Sequence, residues 1–336
     1  MLRKFCLLLL LTIFILPGLI WGQDITQFAG KGKVGTTGLQ FLKIGVSARA
    51  IGMAEAFTAL ANDASAIYYN PAGLTQVQNR QLFLNHTDWP ADINYEFLGF
   101  VYPVQKLGIF AVHAAMLTTG DMKRTVPYVG WTGEYFNASD WLIGITYARM
   151  LTDKFSIGGN FKFIVEHLDN TNIKTWAADF GTLFNIGVQG IKFGMCITNF
   201  GPNVKYFSEE FSIPINFKFG FVVKVAEWGK HNIISTIDGS HPNDNVEQVA
   251  WGLEYKLADW VALRTGYRLF LKLDELDKVV KFSATHSIDV EEPLEGFSFG
   301  AGFNIPIGST RAKIDYSYSD MSYLDNTQRF SLIFQF

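Results

Sequence analysis

Phe297-Ser298-Phe299-Gly300-Ala301-Gly302-Phe303-Asn304-Ile305 places apolar residues at every odd position and small or polar residues at every even one. Successive side chains of a β-strand point to opposite faces, so this stretch has one apolar face and one face that can meet water. The pattern recurs at Arg311 to Tyr318, where Ala312, Ile314, Tyr316 and Tyr318 share one face and Arg311, Lys313, Asp315 and Ser317 the other. Trp251, Leu253, Tyr255 and Leu257 likewise alternate with Gly252, Glu254 and Lys256. The chain closes on Arg329-Phe330-Ser331-Leu332-Ile333-Phe334-Gln335-Phe336, an alternating strand that stops on an aromatic residue. Bacterial outer-membrane barrels commonly end in this way.

Fourteen such segments are expected, near 78–86, 94–103, 107–117, 140–150, 154–167, 174–186, 191–200, 213–226, 231–240, 245–257, 259–269, 295–306, 310–319 and 328–336. Most reach the nine to eleven or so residues that a tilted strand needs to cross a bilayer. The connections 87–93, 118–139, 168–173, 201–212 and 270–294 read as comparatively long. Those at 104–106, 151–153, 187–190, Ala258 and 307–309 read as short. Short turns alternating with longer loops are the pattern of an outer-membrane barrel, with the turns in the periplasm. An even strand number then puts both mature termini on the periplasmic side. A soluble β-sandwich or lipocalin-like barrel also alternates, but its strands are typically nearer five or six residues.

Composition agrees with an apolar outer wall. The 336 residues are 49% hydrophobic, with 30 Phe, 13 Tyr and 8 Trp, and the mean hydropathy is +0.14. Charged residues make up 18%, below the roughly 25% usual in soluble domains. The net charge of −3 and the lack of a basic stripe interleaved with aromatics argue against a nucleic-acid partner. Arg3 and Lys4 followed by the apolar run Phe5 to Leu16, a break at Pro17-Gly18 and small Gly22 read as a secretory signal peptide over residues 1–22. Its removal takes two positive charges, moving the net charge from −3 to −5, and leaves Cys196 without a disulfide partner. No later stretch has the roughly 18 apolar residues of a transmembrane helix. A closed barrel is the remaining way to satisfy every backbone group in lipid.

Residues 23–77 precede the barrel, which occupies 78–336. Ser47 is placed to cap a small-residue helix through Ala48, Ala50, Ile51, Met53, Ala54, Ala56, Phe57 and Leu60. Turn signals at Asn70-Pro71-Ala72-Gly73 close the segment. Phe41-Leu42-Lys43-Ile44-Gly45-Val46-Ser47-Ala48-Arg49-Ala50-Ile51-Gly52-Met53, continuing to Asn62-Asp63-Ala64-Ser65-Ala66-Ile67-Tyr68-Tyr69-Asn70-Pro71-Ala72-Gly73-Leu74, resembles the start of the PorV/PorQ family of outer-membrane proteins. The block from Asp63 to Leu74 also resembles FadL-type transporters. His86-Thr87-Asp88-Trp89 and Asp92-Ile93-Asn94-Tyr95-Glu96 continue the PorV/PorQ likeness. The resemblance covers about residues 39–103. It implies an all-β, FadL-like transmembrane antiparallel barrel of about fourteen strands in the outer membrane, with a short N-terminal helical plug segment.

Two functions follow from the resemblance. A PorV-type member serves as an accessory or scaffold in type IX-like secretion, binding a translocon barrel or secreted cargo through loops such as 118–139 and 270–294. A FadL-type member passes long-chain fatty acids or other hydrophobic small molecules, with 41–74 plugging the lumen. Asn70, Pro71 and Gly73 read either as a gate or plug seat, or as a turn into the first strand. Arg49 and Asp63 read either as partners of lumen charges or as solvated charges. His86 and Asp88 have no second pair at metal-ligand spacing, and no Gly-x-Ser-x-Gly elbow is present. Neither a catalytic site, a metal site nor a cofactor is therefore expected. Trp89, Trp131, Trp141, Trp176, Trp228, Trp251 and Trp260 fall mostly near strand ends, as interfacial aromatic girdles do.

Overall fold

A computed structural model describes residues 35–188, 190–258, 260–270, 296–320 and 326–336. The expected signal peptide and most of loop 270–294 lie outside the described residues. Alternation over 81–104 produces β1 (Gln81–Trp89) and β2 (Ile93–Val104). They are followed by β3 (Gly108–Thr118), the hairpin β4 (Met122–Val126) and β5 (Gly130–Phe136), then β6 (Ala138–Met150), β7 (Phe155–Leu168) and β8 (Thr171–Asn185). β9 (Lys192–Phe200) leads into a second small hairpin, β10 (Val204–Tyr206) and β11 (Glu209–Phe211). The wall continues with β12 (Asn216–Trp228), β13 (His231–Pro242), β14 (Gln248–Leu257) and β15 (Val261–Phe270). It ends with β16 (Phe297–Ile307), β17 (Thr310–Asp320) and β18 (Asn326–Gln335).

Fourteen of these strands form one closed antiparallel barrel, each paired with its neighbours along the wall. β1 and β18 close it in register from Gln81↔Gln335 to Asp88↔Gln328. No edge is left, so the wall's peptide groups pair with one another and none is presented to lipid. β1 begins and β18 ends at the short-turn rim, as an even strand number requires. The described chain, however, enters at the other end: the Gly35 N–H donates to the Asp244 carbonyl in the β13–β14 loop. Residues 1–34 lie outside the described residues.

The period-two pattern has turned the barrel inside out relative to a soluble protein. Ile143 and Ile145 of β6 are 65% and 62% exposed, while Leu142 between them and the plug is buried. On β18, Arg329 and Ser331 are buried in the lumen while Phe330 faces outward. Two connections are tighter than their sequences suggest. Asp169-Asn170 alone joins β7 to β8, with Asp169 in the left-handed region, and three residues join β1 to β2, with Ala91 and Asp92 at positive φ. Left-handed turn residues match the strand twist and allow such short links. The long connections 118–139 and 201–212 instead contain the two small hairpins.

The N-terminal segment differs most from expectation. The continuous helix expected from Ser47 to about Leu60 is a single turn, α1 (Ala48–Ile51), capped by Ser47. A second turn, α2 (Ala66–Tyr69), precedes a 3-10 stretch Pro71–Gln76. Ala54 and Glu55 adopt positive φ, which ends the first turn. Between residues 44 and 74 only Glu55, Asn62 and Tyr68 escape full burial. A segment buried on every side takes its path from the walls around it and not from helix propensity.

Replacing Ile145 with Arg puts a charge at mid-height on the lipid face. The expected loss is about 2–4 kcal/mol for folding into a bilayer, measured by denaturant titration in vesicles. An unchanged midpoint would mean that this face does not contact lipid.

Candidate functional site

The walls admit the plug because they are notched with glycine. A Cβ on Gly158 of β7 would lie 2.4 Å from the Pro71 carbonyl carbon and the Ala72 nitrogen. On Gly194 of β9 it would meet the Thr58 carbonyl oxygen at 2.7 Å, and on Gly266 of β15 the Met53 carbonyl carbon at 2.3 Å. Strand and plug backbones therefore touch around much of the barrel. Phe57, Tyr69, Met53, Ile67 and Leu74 fill the space between them and are essentially inaccessible.

Polar groups fix the plug at separate points of the wall. The Ser331 hydroxyl accepts the Ala48 N–H (2.8 Å), and the Gln81 side-chain oxygen accepts the Ala64 N–H (2.8 Å). Asp238 Oδ2 accepts the Phe57 and Thr58 N–H groups at 2.9 and 2.7 Å. Asn70 donates to the Thr58 and Thr182 carbonyls and accepts the Ala72 N–H. Pro71 opens the following 3-10 turn, and Gly73 lies so near Ala61 that a Cβ would approach its carbonyl oxygen to 2.1 Å. Asn70, Pro71 and Gly73 thus sit together in packed plug, not beside open lumen.

Arg49 and Asp63 meet inside the barrel in a chain of charges. Arg49 Nη1 donates to Asp63 Oδ2 at 2.6 Å and to Asn62 Oδ1 at 2.7 Å. Its Nε and Nη2 donate as a fork to both oxygens of Glu254, at 2.8 and 2.9 Å. Arg264 Nε donates to Glu254 Oε2 at 2.7 Å, and its Nη1 to Asp315 Oδ1 at 2.6 Å. Glu254 is fully buried between two guanidinium groups. Such paired geometry offsets the desolvation of each charge, and removing one partner strands the others.

Above the plug, at the long-loop end, the lumen opens into a cavity of about 800 Å³. Its floor includes Glu55 and Tyr68 and its walls include Trp89, Ile93, Leu117 and Phe211. Trp89 is therefore a lumen residue and not part of an outer girdle: it shares the inward face of β1 with Phe83, Asn85 and Thr87, and the Arg329 guanidinium lies over its ring. Trp141, Trp176 and Trp251 do face outward. Among the cations of the cavity, Arg268 pairs with Glu55 (2.6 Å) and Lys162 with Asp179 (2.7 Å). The Lys218 ammonium makes no hydrogen bond or ion pair among the described residues, although it lines the same space.

The first described residues form a strap across this mouth. Thr37 bridges to Ser212, and the Leu39 N–H donates to Tyr206 Oη of the β10–β11 hairpin (3.3 Å). Asp244 accepts from Thr37 Oγ1 at 2.6 Å and from Lys43 Nζ at 2.8 Å. Burial alone would raise the Asp244 carboxyl, but hydrogen bonds from Lys43 and Thr37 and the Lys43 charge hold it below the usual carboxylate range. Among the described residues no cluster of three metal-ligating side chains occurs. His86 sits on the outer face with its Nδ1 2.6 Å from Glu96 Oε1, away from the cavity.

Residues 23–210 match the sequence model of an uncharacterised protein family, UPF0164. The chain belongs to that family. No curated protein matches the sequence. The fold is similar to that of the monoaromatic hydrocarbon channel CymD, at 11% identity and a TM-score of 0.54, over 86% of this chain and 96% of that one. It is similar to a Pseudomonas aeruginosa FadL homologue, at 12% identity and a TM-score of 0.53, over 87% and 98%. It is also similar to the Pseudomonas putida toluene transporter TodX, at 10% identity and 0.52, over 80% and 92%. This UPF0164 member therefore has the FadL-like barrel fold of outer-membrane proteins.

The residues with the clearest roles in the site include several that alternation alone does not single out. Glu254, Asp238, Asp244 and Lys218 occupy ordinary polar positions of strands or a loop, and only the closed barrel brings them to the plug and cavity.

Glu254→Ala is expected to destabilise the protein by about 3–5 kcal/mol, because Arg49 and Arg264 are left buried without it. The triple variant Arg49→Met/Asp63→Asn/Glu254→Leu, which removes both of Arg49's carboxylate partners with it and leaves Arg264 paired with Asp315, is expected to recover much of that loss. Both are read from unfolding midpoints in detergent, and a triple variant no more stable than Glu254→Ala would refute the paired-charge account.

Proposed function

We propose that this UPF0164 barrel admits hydrophobic small molecules from the cell exterior, including long-chain fatty acids and related carboxylated amphiphiles. The observation that carries the reading is the cavity of about 800 Å³ at the long-loop mouth, within the range of about 300–1,000 Å³ that small-molecule sites occupy. Aromatic and aliphatic side chains line it beside the Lys218 ammonium, which has no hydrogen bond or ion pair among the described residues and faces the same space as Glu55 and Asp238. That combination suits a ligand with an apolar body and an anionic head. The FadL-like fold supports the same reading. Segment 41–74, with Arg49, Asp63, Asn70, Pro71 and Gly73, is the plug that separates this ligand space from the short-turn rim.

The alternative role in secretion draws support from the resemblance of 41–74 to the PorV/PorQ family and from the β4–β5 hairpin, whose tip exposes Tyr128, Val129 and Trp131. Recovery of a translocon barrel or secreted cargo in a pull-down would favour it. The cavity favours the channel.

Binding to purified protein tests the proposal. A fluorescent long-chain fatty acid is expected to bind, and Lys218→Met is expected to weaken it about tenfold or more, the loss of one charge-assisted hydrogen bond. Toluene binding, read by competition, is expected to change little. Failure of both probes to bind, together with undiminished uptake in cells lacking the protein, would overturn the channel reading.

A further inference from the structure

Among the described residues the two ends of the barrel carry opposite charge. At the long-loop end the exposed acids Asp88, Asp92, Glu96, Asp121, Glu134, Glu209, Glu210 and Asp320 outnumber the exposed bases Lys43, Lys123, Lys174 and Lys205. At the short-turn end the balance reverses, and four cations gather on one side. Arg80 precedes β1, Lys106 lies in the β2–β3 turn, Arg149 near the end of β6 and Lys154 in the β6–β7 turn. These strands are adjacent in the order β7-β6-β3-β2, with β1 next. All four side chains are exposed. Asp153, beside Lys154 in the β6–β7 turn, is the acid nearest in sequence to the four, and among the described residues none of them has a carboxylate partner within salt-bridge distance.

Aromatic rings stand at the same level. Tyr102, Phe110 and Tyr147 are cross-strand neighbours on the outer face. The Arg80 guanidinium carbon lies 4.6 Å from the centre of the Tyr102 ring, and its Nη2 donates to Tyr102 Oη at 3.0 Å. Tyr147 Oη donates to the Leu107 carbonyl at 2.7 Å. Arg149 follows Tyr147 by two residues and so points outward beside it. Rings mark the lipid boundary of such barrels. The cations therefore sit immediately beyond the hydrocarbon, at headgroup height.

We propose that Arg80, Lys106, Arg149 and Lys154 form a binding patch for the anionic headgroups of phospholipids in the periplasmic leaflet. Arginine offers a fork of donors that fits a phosphate, and lysine a point charge beside it. Basic clusters next to a membrane surface are attracted to anionic lipid. A lipid fits better than a soluble acidic protein because Arg80 is held against the outer wall by Tyr102 and Arg149 lies on the outer face of β6 itself, not at the tip of a turn. The patch is independent of what the lumen carries.

The test uses the full-length protein in vesicles of equimolar phosphatidylglycerol and phosphatidylcholine, with either lipid spin-labelled. The fraction of immobilised label gives a relative association constant. Wild type is expected to prefer phosphatidylglycerol by about threefold or more at low salt, and to lose the preference in molar salt. The quadruple variant Arg80→Gln/Lys106→Gln/Arg149→Gln/Lys154→Gln is expected to lose it at low salt as well. Lys224→Gln/Lys230→Gln, on the far side of the same rim, is expected to keep it. Heat-modifiable gel mobility verifies folding, and if the quadruple variant does not insert, Arg80→Gln and Arg149→Gln alone are each expected to give a partial loss. Equal association of the two lipids with wild type, or a preference that survives in the folded variants, would overturn the proposal.

Discussion

Closure of β1 against β18 is the constraint on which the rest of the molecule depends. A bilayer interior offers no hydrogen-bond partner to a peptide group, so a sheet crossing it cannot keep an edge. Pairing of Gln81–Asp88 with Gln328–Gln335 removes the last one. Once the wall is closed, period two forces a choice at every strand. Apolar residues such as Ile143, Ile145 and Phe330 face lipid, and polar ones such as Asn85, Arg329 and Ser331 face inward. The lumen is then lined with groups that need partners, and the N-terminal segment supplies them. Ser331 and Asn85 show the coupling directly: the Ser331 hydroxyl donates to Asn85 across the closing pair and accepts the plug's Ala48 N–H.

The plug is an unusual core because it joins small-residue packing to buried charge. Alanines and glycines let its backbone lie against wall glycines at distances a Cβ would forbid. That close approach leaves no room for water, so each polar group within it needs a specific partner. Asp238 meets this need for two plug N–H groups. Glu254 meets it for two arginines, one from the plug and one from the wall. Buried ion pairs of this kind add little net stability compared with apolar replacements. Their effect is on register, because Arg49 reaches Asp63 and Glu254 together from one position of the plug.

Much of the wall was legible in its sequence. Alternation at 297–305, 311–318 and 251–257 specifies strands whose face assignment the barrel keeps, because a one-residue slip would put Lys313 and Asp315 into lipid. The plug was less legible. The run from Ala48 to Leu60 has helix-favouring composition, yet its neighbours are wall backbones that demand turns at Ala54 and Glu55. Helix propensity is worth only tenths of a kcal/mol per residue, less than the packing it would sacrifice. Trp89 shows a different limit. Its position at a strand end is shared with outward tryptophans, and only its parity with Phe83, Asn85 and Thr87 separates lumen from girdle. The Arg49–Glu254 pair joins residues 205 apart in the chain, and no local pattern announces such a meeting.

The two ends of the plug are held with unequal strength, and this bears on how a ligand in the cavity would be received. The upper strap is tied by Lys43 to Asp244, an ion pair whose carboxylate is buried and whose lysine side chain is 39% exposed, and Thr37 donates to the same carboxylate. A lysine that keeps contact with water loses less when its pair opens than a fully buried charge does. The lower plug is tied by Arg49 to Glu254, with both side chains nearly inaccessible, and breaking one partner of such a pair costs about 3–5 kcal/mol. Residues 37–43 line the cavity, whereas Met53, Thr58 and Pro71 sit in a seat where strand glycines touch the plug backbone. On the proposed channel reading, a molecule from the long-loop end meets the strap first, and the buried charges of Arg49, Asp63 and Glu254 lie between the cavity and the short-turn rim. Occupancy of the cavity and passage beyond it would then be separate events, the second requiring those buried pairs to part.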